Sequence, residues 1–185
     1  MNATKEIQTQ STQQTQSTNP ESLCELIAGH PFLKGLSQQH LAVLAEYAMA
    51  VEFKKDELIF REGDPANRFY LIRQGRVELE TEIKDHGRML IQTIGPGDVL
   101  GWSWLFAPYY WHFDARAVSP VKAIFFYGTP LRQRCEDDHH LGYELMKRVA
   151  EVVIKRLQAA RKHLIEIGDR AYRGNRGIHD NLTRW

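Results

Sequence analysis

Residues 76–83 alternate between two kinds of side chain at every position, and this period of two restricts the folds that the chain can adopt. One set is apolar or small and the other is charged: Val77, Leu79, Thr81 and Ile83 against Arg76, Glu78, Glu80 and Glu82. A half-buried β-strand produces this pattern. Asp85-His86-Gly87 supplies a hairpin turn, and residues 89–94 return as the next strand.

Other short apolar runs flank this predicted hairpin, and turns containing glycine or charged residues separate them. They predict strands at 51–53, 58–60, 69–72, 115–118 and 121–127. Because no helical pattern interrupts this region, the strands favour an antiparallel β-roll or jelly roll. The predicted fold class is therefore mainly β with helices (α+β).

Helical patterns lie on both sides of the strands. Asn19-Pro20 is typical of an N-cap and first helical residue, and a second helix begins at Ser37. Thr129-Pro130 predicts the start of a short helix after the strands. A long C-terminal helix is then predicted from about Glu136 to Ile167, with acidic residues in its first turn and basic residues in its last. Gly168 is the predicted end of this helix.

The long helix carries two apolar stripes. The first follows alternating steps of four and three: Met146, Ala150, Val153, Leu157, Ala160, Leu164 and Ile167. The second can pack on the roll: Leu141, Leu145, Val149 and Val152. Because the first stripe is a heptad seam, it predicts a homodimer through this helix. The alternative is that the helix packs only within its own subunit.

Four histidines could carry chemistry, but their positions favour ordinary roles. His30 and His40 fall near helix ends, where we expect them to be solvated. His139-His140 lie beside acidic residues, as metal ligands can, yet adjacent residues on a helix do not face each other. The sequence therefore predicts no metal site and no cofactor.

The two ends of the chain differ from its centre. Residues 1–18 are rich in Gln, Thr and Ser, which predicts a disordered tail. The predicted domain covers residues 19–167, and residues 168–185 are expected to form a flexible basic tail. A helix-turn-helix needs on the order of 20 residues. The stretch from Asp169 to Trp185 is shorter than that, so we expect no specific DNA binding.

Composition narrows the class of protein further. The 185 residues carry a formal net charge of +1, with 43% hydrophobic and 25% charged residues, as in a soluble globular domain. This charge balance argues against a polyanion-binding protein. No apolar run is long enough to span a bilayer, and Cys24 and Cys135 are too few for a disulfide framework. We therefore expect a cytoplasmic protein.

The stretch from Gly95 to Val118, GPGDVLGWSWLFAPYYWHFDARAV, fits neither the period of a strand nor that of a helix. Its aromatic residues surround several polar groups in an irregular connection, which is typical of the wall of a binding site. The alternative is that its tryptophans only fill the core.

GPGDVLG followed by a short helical turn, an irregular loop and DARA resembles the phosphate-binding cassette of the cyclic nucleotide-binding domain. The resemblance covers about Glu21 to Ile167 and includes GDPANRFYLIRQGRVEL, in which Gly63 and Gly75 match the family's strand-joining glycines. It implies a β-roll that binds a small-molecule effector, and a C-terminal helix that closes over it and forms the dimer seam.

The anchors of a cyclic nucleotide are missing from the matching positions. Gly101 fits the cassette, but Trp102 replaces the glutamate that accepts the ribose 2′-hydroxyl. Trp111 and His112 stand where the family places the phosphate-binding arginine and a Ser or Thr, and Ala160 where some members place a threonine. Tryptophan has one N–H donor and no positive charge, so it cannot replace an arginine.

The resemblance and the missing anchors together predict a regulatory sensor domain whose small-molecule effector is not a typical cyclic nucleotide. Its aromatic-rich site suits a nucleotide-like, aromatic or cationic ligand. The candidate ligand-binding residues are Leu79, Ile91, Val99, Gly101, Trp102, Ser103, Trp111, His112, Arg116, Arg156, Leu157 and Ala160.

Two other functions remain open. The chain could be a true cAMP or cGMP receptor in which Arg116 or His112 holds the phosphate. It could also be an interaction module whose own tryptophans fill the site. An enzyme is not expected, because the polar residues of this stretch form no nucleophile–base–orienter pattern. The effector and the downstream partner are not encoded in any recognisable motif.

Overall fold

The computed structural model describes residues 20–182, with the side chains of residues 23–162 and 164–169. The predicted disordered tail and the predicted N-cap Asn19 lie outside this range. The chain divides into two compact units between Glu144 and Leu145.

Helices precede the strands, as predicted. They are α1 (Pro20–Ala28), a 3-10 turn (Pro31–Leu33) and α2 (Gln38–Glu46). Ser37 caps α2, because its hydroxyl accepts the His40 N–H at 3.2 Å.

Eight strands follow in two four-stranded sheets, and every strand pair is antiparallel. The strands are β1 (Ala48–Phe53), β2 (Leu58–Phe60), β3 (Arg68–Gln74), β4 (Val77–Ile83), β5 (Gly87–Ile94), β6 (Val99–Leu100), β7 (Asp114–Ala117) and β8 (Val121–Tyr127). The sheet orders are β1-β8-β3-β6 and β2-β7-β4-β5. The predicted β-roll is confirmed, and β6 is the strand that the sequence pattern missed.

Two groups of aromatic residues hold the first unit together. One lies in the roll's core, where Tyr70 contacts Phe53 edge-on at 6.0 Å between ring centroids. In the other, Phe69 stacks between Trp104 at 5.0 Å and Phe126 at 4.5 Å. Successive side chains of a strand point to opposite faces, so Phe69 and Tyr70 place β3 between the two groups.

The predicted solvent exposure of His30 and His40 is wrong. His30 is only 5% exposed and His40 only 8%. The His30 Nε2–H donates to the Ile72 carbonyl at 3.2 Å, while Nδ1 accepts the Phe32 N–H at 3.3 Å. These partners require the neutral ring, and burial lowers the His30 pKa.

Two helices follow the strands, as predicted, namely α3 (Gly128–Asp137) and α4 (His139–Leu182), but the long helix begins at His139 and not at Glu136. Asp138 lies between them and caps α4, since its Oδ1 accepts the Leu141 N–H at 3.1 Å. This bond is the main cause of the lowered Asp138 pKa, with the charges of His40 and Arg134 contributing.

The predicted helix end at Ile167 is also wrong, because α4 continues through Gly168 to Leu182. Gly168 is not among the left-handed glycines. An interior glycine costs a helix only about 1 kcal/mol relative to alanine, so it does not by itself end the helix. Residues 168–182, predicted as a flexible tail, are therefore helical.

The two stripes of α4 differ in exposure. Leu141, Leu145 and Val149 are buried, whereas Leu157 is 68% exposed. Met146, Leu164 and Ile167 of the heptad seam are exposed as well. Among the helices of residues 20–182, none combines the length and apolar character needed to cross a membrane.

Candidate ligand-binding site

Glycine turns shape the entry to the candidate site. The Asp98 carboxylate accepts the Gly95 N–H at 2.8 Å, which closes the turn before β6. Gly101 follows β6 with φ +85° and starts the 3-10 helix Trp102–Leu105. A side chain is disfavoured at this left-handed φ. The site loop, residues 106–113, then leads to β7.

Trp111 is the buried residue of the site loop, at 4% exposure. Its indole stacks on Phe60, with ring centroids 4.0 Å apart and planes 15° apart. The far edge of the same indole rests on Gly101: a Cβ built there would lie 2.9 Å from both Cη2 and Cζ3. We call the space between the Phe60 ring and the Gly101 backbone, which this side chain fills, the indole slot.

Backbone hydrogen bonds fix Trp111 to the turn before β3. The Trp111 N–H donates to the Asp64 carbonyl, and the Gly63 N–H donates to the Trp111 carbonyl, both at 2.9 Å. Arg132 holds the other end of the site loop, because its guanidinium lies 3.9 Å from the centroid of Tyr109 and donates to the Trp104 carbonyl.

Phe60 connects the indole slot to the core of the roll. Its ring stacks on Tyr70 with centroids 6.3 Å apart, and Tyr70 in turn contacts Phe125 at 6.1 Å. Burial raises the Tyr70 pKa, which keeps the phenol neutral. Phe60, Tyr70 and Phe125 therefore form a connected row of aromatic rings, and none of the three carries a formal charge.

Other rings line the outer side of the site. Trp102 is half-buried and makes edge-on contacts with His112 at 6.1 Å and with Phe106 at 6.0 Å. His112 and Phe106 are both exposed. Ser103 is buried within the 3-10 helix Trp102–Leu105, Val99 is buried in β6, and Leu79 is buried in the core of the roll.

Ile91 does not join this group. β4 and β5 pair Leu79 with Gln92 but Glu80 with Leu90, so Ile91 is the extra residue of a β-bulge. Its side chain is 41% exposed, and β5 is an edge strand of its sheet. The strand period alone could not reveal this change of register.

Arg116 also lies away from the indole slot. Its neighbours Ala115 and Ala117 are buried in the core of the roll, so alternation directs Arg116 to the outer face of the sheet. There its Nε lies 3.4 Å from a Glu80 carboxylate oxygen, and Nη1 donates to the Asp56 carbonyl at 3.0 Å.

The remaining candidates, Arg156, Leu157 and Ala160, lie on α4 in the second unit. Leu157 and Ala160 are exposed and Arg156 is half-buried. Phe60 is the site residue that the sequence analysis missed. Its place in the predicted strand 58–60 was visible, but its contact with a loop 51 positions later was not.

These features define a β-roll domain with an aromatic site between β6 and β7, and comparisons with known proteins agree. Residues 50–138 match the model of the cyclic nucleotide-binding domain. A putative cyclic nucleotide-binding protein from Geobacter metallireducens GS-15 is 30% identical, with a TM-score of 0.66; the match covers 76% of this chain and 98% of that one. The chain belongs to the cyclic nucleotide-binding domain family.

Two further proteins, one similar in sequence and one in fold, are a regulator and the sensor domain of a regulator. A CRP-like cAMP-activated global transcriptional regulator from Mycobacterium tuberculosis is 24% identical over 143 residues, which are 77% of this chain and 62% of the relative. The chain thus spans about three fifths of that relative. The sensor domain of the transcriptional regulator DNR from Pseudomonas aeruginosa shares the fold at 18% identity, with a TM-score of 0.61 and coverage of 75% of this chain and 93% of that one.

Proposed function

We propose that the chain is a regulatory sensor domain, not an enzyme, that binds a small-molecule effector beside Trp102 and Trp111 and does not recognise cAMP or cGMP. The observation that carries this proposal is the position of Trp111. The family resemblance places the phosphate-binding arginine there, and the structure has a buried indole packed against Gly101.

The two residues proposed above as substitutes for that arginine, Arg116 and His112, are poorly placed to replace it. Arg116 lies on the outer face of its sheet beside Glu80. His112 lies near the site but is exposed, so water screens its interaction with an anion. Two lost charge-assisted hydrogen bonds at about 1.5–3 kcal/mol each weaken binding by roughly 4 kcal/mol, or about a thousandfold.

Polar side chains of the same stretch support binding rather than catalysis. Asp98 closes the turn before β6, and Asp114 Oδ1 accepts the Glu62 N–H at 2.8 Å. Both carboxylates therefore have structural partners. Cys24 and Cys135 are free thiols, which fits the proposed cytoplasmic location.

We also propose that the domain is a homodimer through α4. The exposed seam residues Leu157 and Leu164 support this, because a second copy of the helix would remove their apolar surface from water.

Calorimetric titration of the unmodified protein with cAMP and cGMP tests the missing anchor. We expect no binding of micromolar or better affinity. The Trp102→Glu/Trp111→Arg variant, which restores both family anchors, is the positive control. A sub-micromolar cAMP isotherm of the unmodified protein that Arg116→Ala abolishes would contradict the proposal and establish a rearranged nucleotide receptor.

A further inference from the structure

We propose that the indole slot is itself a ligand-binding position for a flat, uncharged aromatic ring, and that Trp111 is its resident occupant. This inference rests on the proposed function, since it names the class of effector that the site accepts. A ligand enters the slot when the Trp111 side chain leaves it.

The two walls of the slot determine the shape of the ligand. Phe60 presents its ring face at 4.0 Å to the indole, so the occupant must be flat where it stacks. Gly101 closes the slot opposite the edge of the benzo ring, and the absence of a Cβ allows the edge to approach the backbone. An occupant must therefore offer a flat face to Phe60 and a thin edge to Gly101.

The chemistry of the walls excludes a charged ring. Phe60 stacks on the buried Tyr70, which remains neutral, and Gly101 contributes only backbone. An ionised ligand in this position would lose its hydration between two walls that carry no charge, which disfavours its binding. The same ring without a charge loses little on entering.

The occupant and the walls belong to different kinds of structure. Phe60 lies on β2, and Gly101 follows β6, so both walls are held by the sheets. Trp111 is carried by the site loop, in which Tyr109, Tyr110 and His112 are exposed. Removing the Trp111 side chain therefore leaves the walls in place, and an apolar space of this kind can accept a free aromatic molecule.

Thermal unfolding of Trp111→Ala with and without indole tests the inference. For a dissociation constant of about 0.1 mM, 1 mM indole increases the folded-to-unfolded ratio about tenfold. This corresponds to a rise of about 4 °C in Tm. Indole-3-carboxylate, which adds a negative charge to the same ring, should bind at least tenfold more weakly.

Two further variants test whether the response to an added aromatic molecule comes from the indole slot. Phe60→Leu combined with Trp111→Ala keeps most of the wall's volume but removes its aromatic face, so the indole response should fall by at least half. Trp111→Leu leaves a smaller apolar space and should be stabilised by benzene. It provides the same test should Trp111→Ala fail to fold.

Folded Trp111→Ala that does not respond to indole, or that binds the carboxylate as tightly, would overturn the inference. So would an unfolded Trp111→Ala together with a folded Trp111→Leu that ignores benzene. The titrations of the unmodified protein with cyclic nucleotides involve none of these variants. Failure of the slot and failure of the proposed function can therefore be told apart.

Discussion

Gly101→Ala should destabilise the domain because the new methyl group meets two groups that cannot easily retreat. Its Cβ would lie 2.9 Å from Cη2 and Cζ3 of Trp111 and 3.2 Å from the Arg68 carbonyl oxygen. Phe60 stacks on the face of the indole with ring centroids 4.0 Å apart, which limits how far the indole can tilt away. The substitution also places an alanine at φ +85°.

The two contributions can be estimated separately. A left-handed φ costs a non-glycine residue about 1–2 kcal/mol. Overpacking by one methyl group costs about 1–3 kcal/mol. We therefore expect Gly101→Ala to lower the free energy of unfolding by about 3 kcal/mol. Gly63→Ala is the matched control: its φ is +82° and its Cβ would meet nothing within 4 Å, so only the first contribution applies.

Urea unfolding of both variants measures the difference, with unchanged m-values as the check that the folded state is preserved. The same substitution in a Trp111→Leu background isolates the steric part, because the two indole atoms are then absent. There the cost of Gly101→Ala should approach that of Gly63→Ala. Equal costs in the unmodified background would show that the indole does not press against Gly101, and the argument for the slot would lose one of its walls.

Two other predictions concern the histidine and the helix seam. Because burial holds the folded-state pKa of His30 below 6.5, the unfolded chain binds a proton first as the pH falls. Stability should therefore decline below about pH 6.5, by at most about 1.4 kcal/mol per pH unit, and His30→Gln should flatten this part of a stability–pH curve measured by urea unfolding. Leu157→Glu should convert the proposed dimer to a monomer, because it places a carboxylate on the seam; Gln158→Glu, an exposed neighbour, should not. Light scattering that gives 21.4 kDa for the unmodified chain, its monomer mass, would contradict the dimer.

The β-roll could be predicted from sequence because its strands carry local signals. The alternation of burial is kept at Val77–Glu80 of β4, and Gly87 has the positive φ of a turn. Gly101 and Trp111 could be assigned to one candidate site, since both fall within one aromatic stretch, but their contact could not be predicted. Patterns of this kind depend only on neighbours along the chain.

The remaining features could not be predicted, for three different reasons. His30 is buried because its carbonyl partner belongs to Ile72, 42 residues later. The exposure of Ile91 could not be foreseen, because it depends on one extra residue in β5 that changes the pairing with β4. Gly168 does not end α4, because glycine adopts the helical conformation as well as the left-handed one.

The bulge at Ile91 has a consequence for the protein in concentrated solution. β5 ends its sheet and exposes Met89, Leu90 and Ile91, an apolar sequence of the kind that promotes strand-to-strand aggregation. The extra residue bends the strand and interrupts the even spacing of its backbone donors and acceptors. A straight strand from another molecule cannot pair with such an edge along its full length. The bulge at Ile91 therefore opposes aggregation through the edge of this sheet.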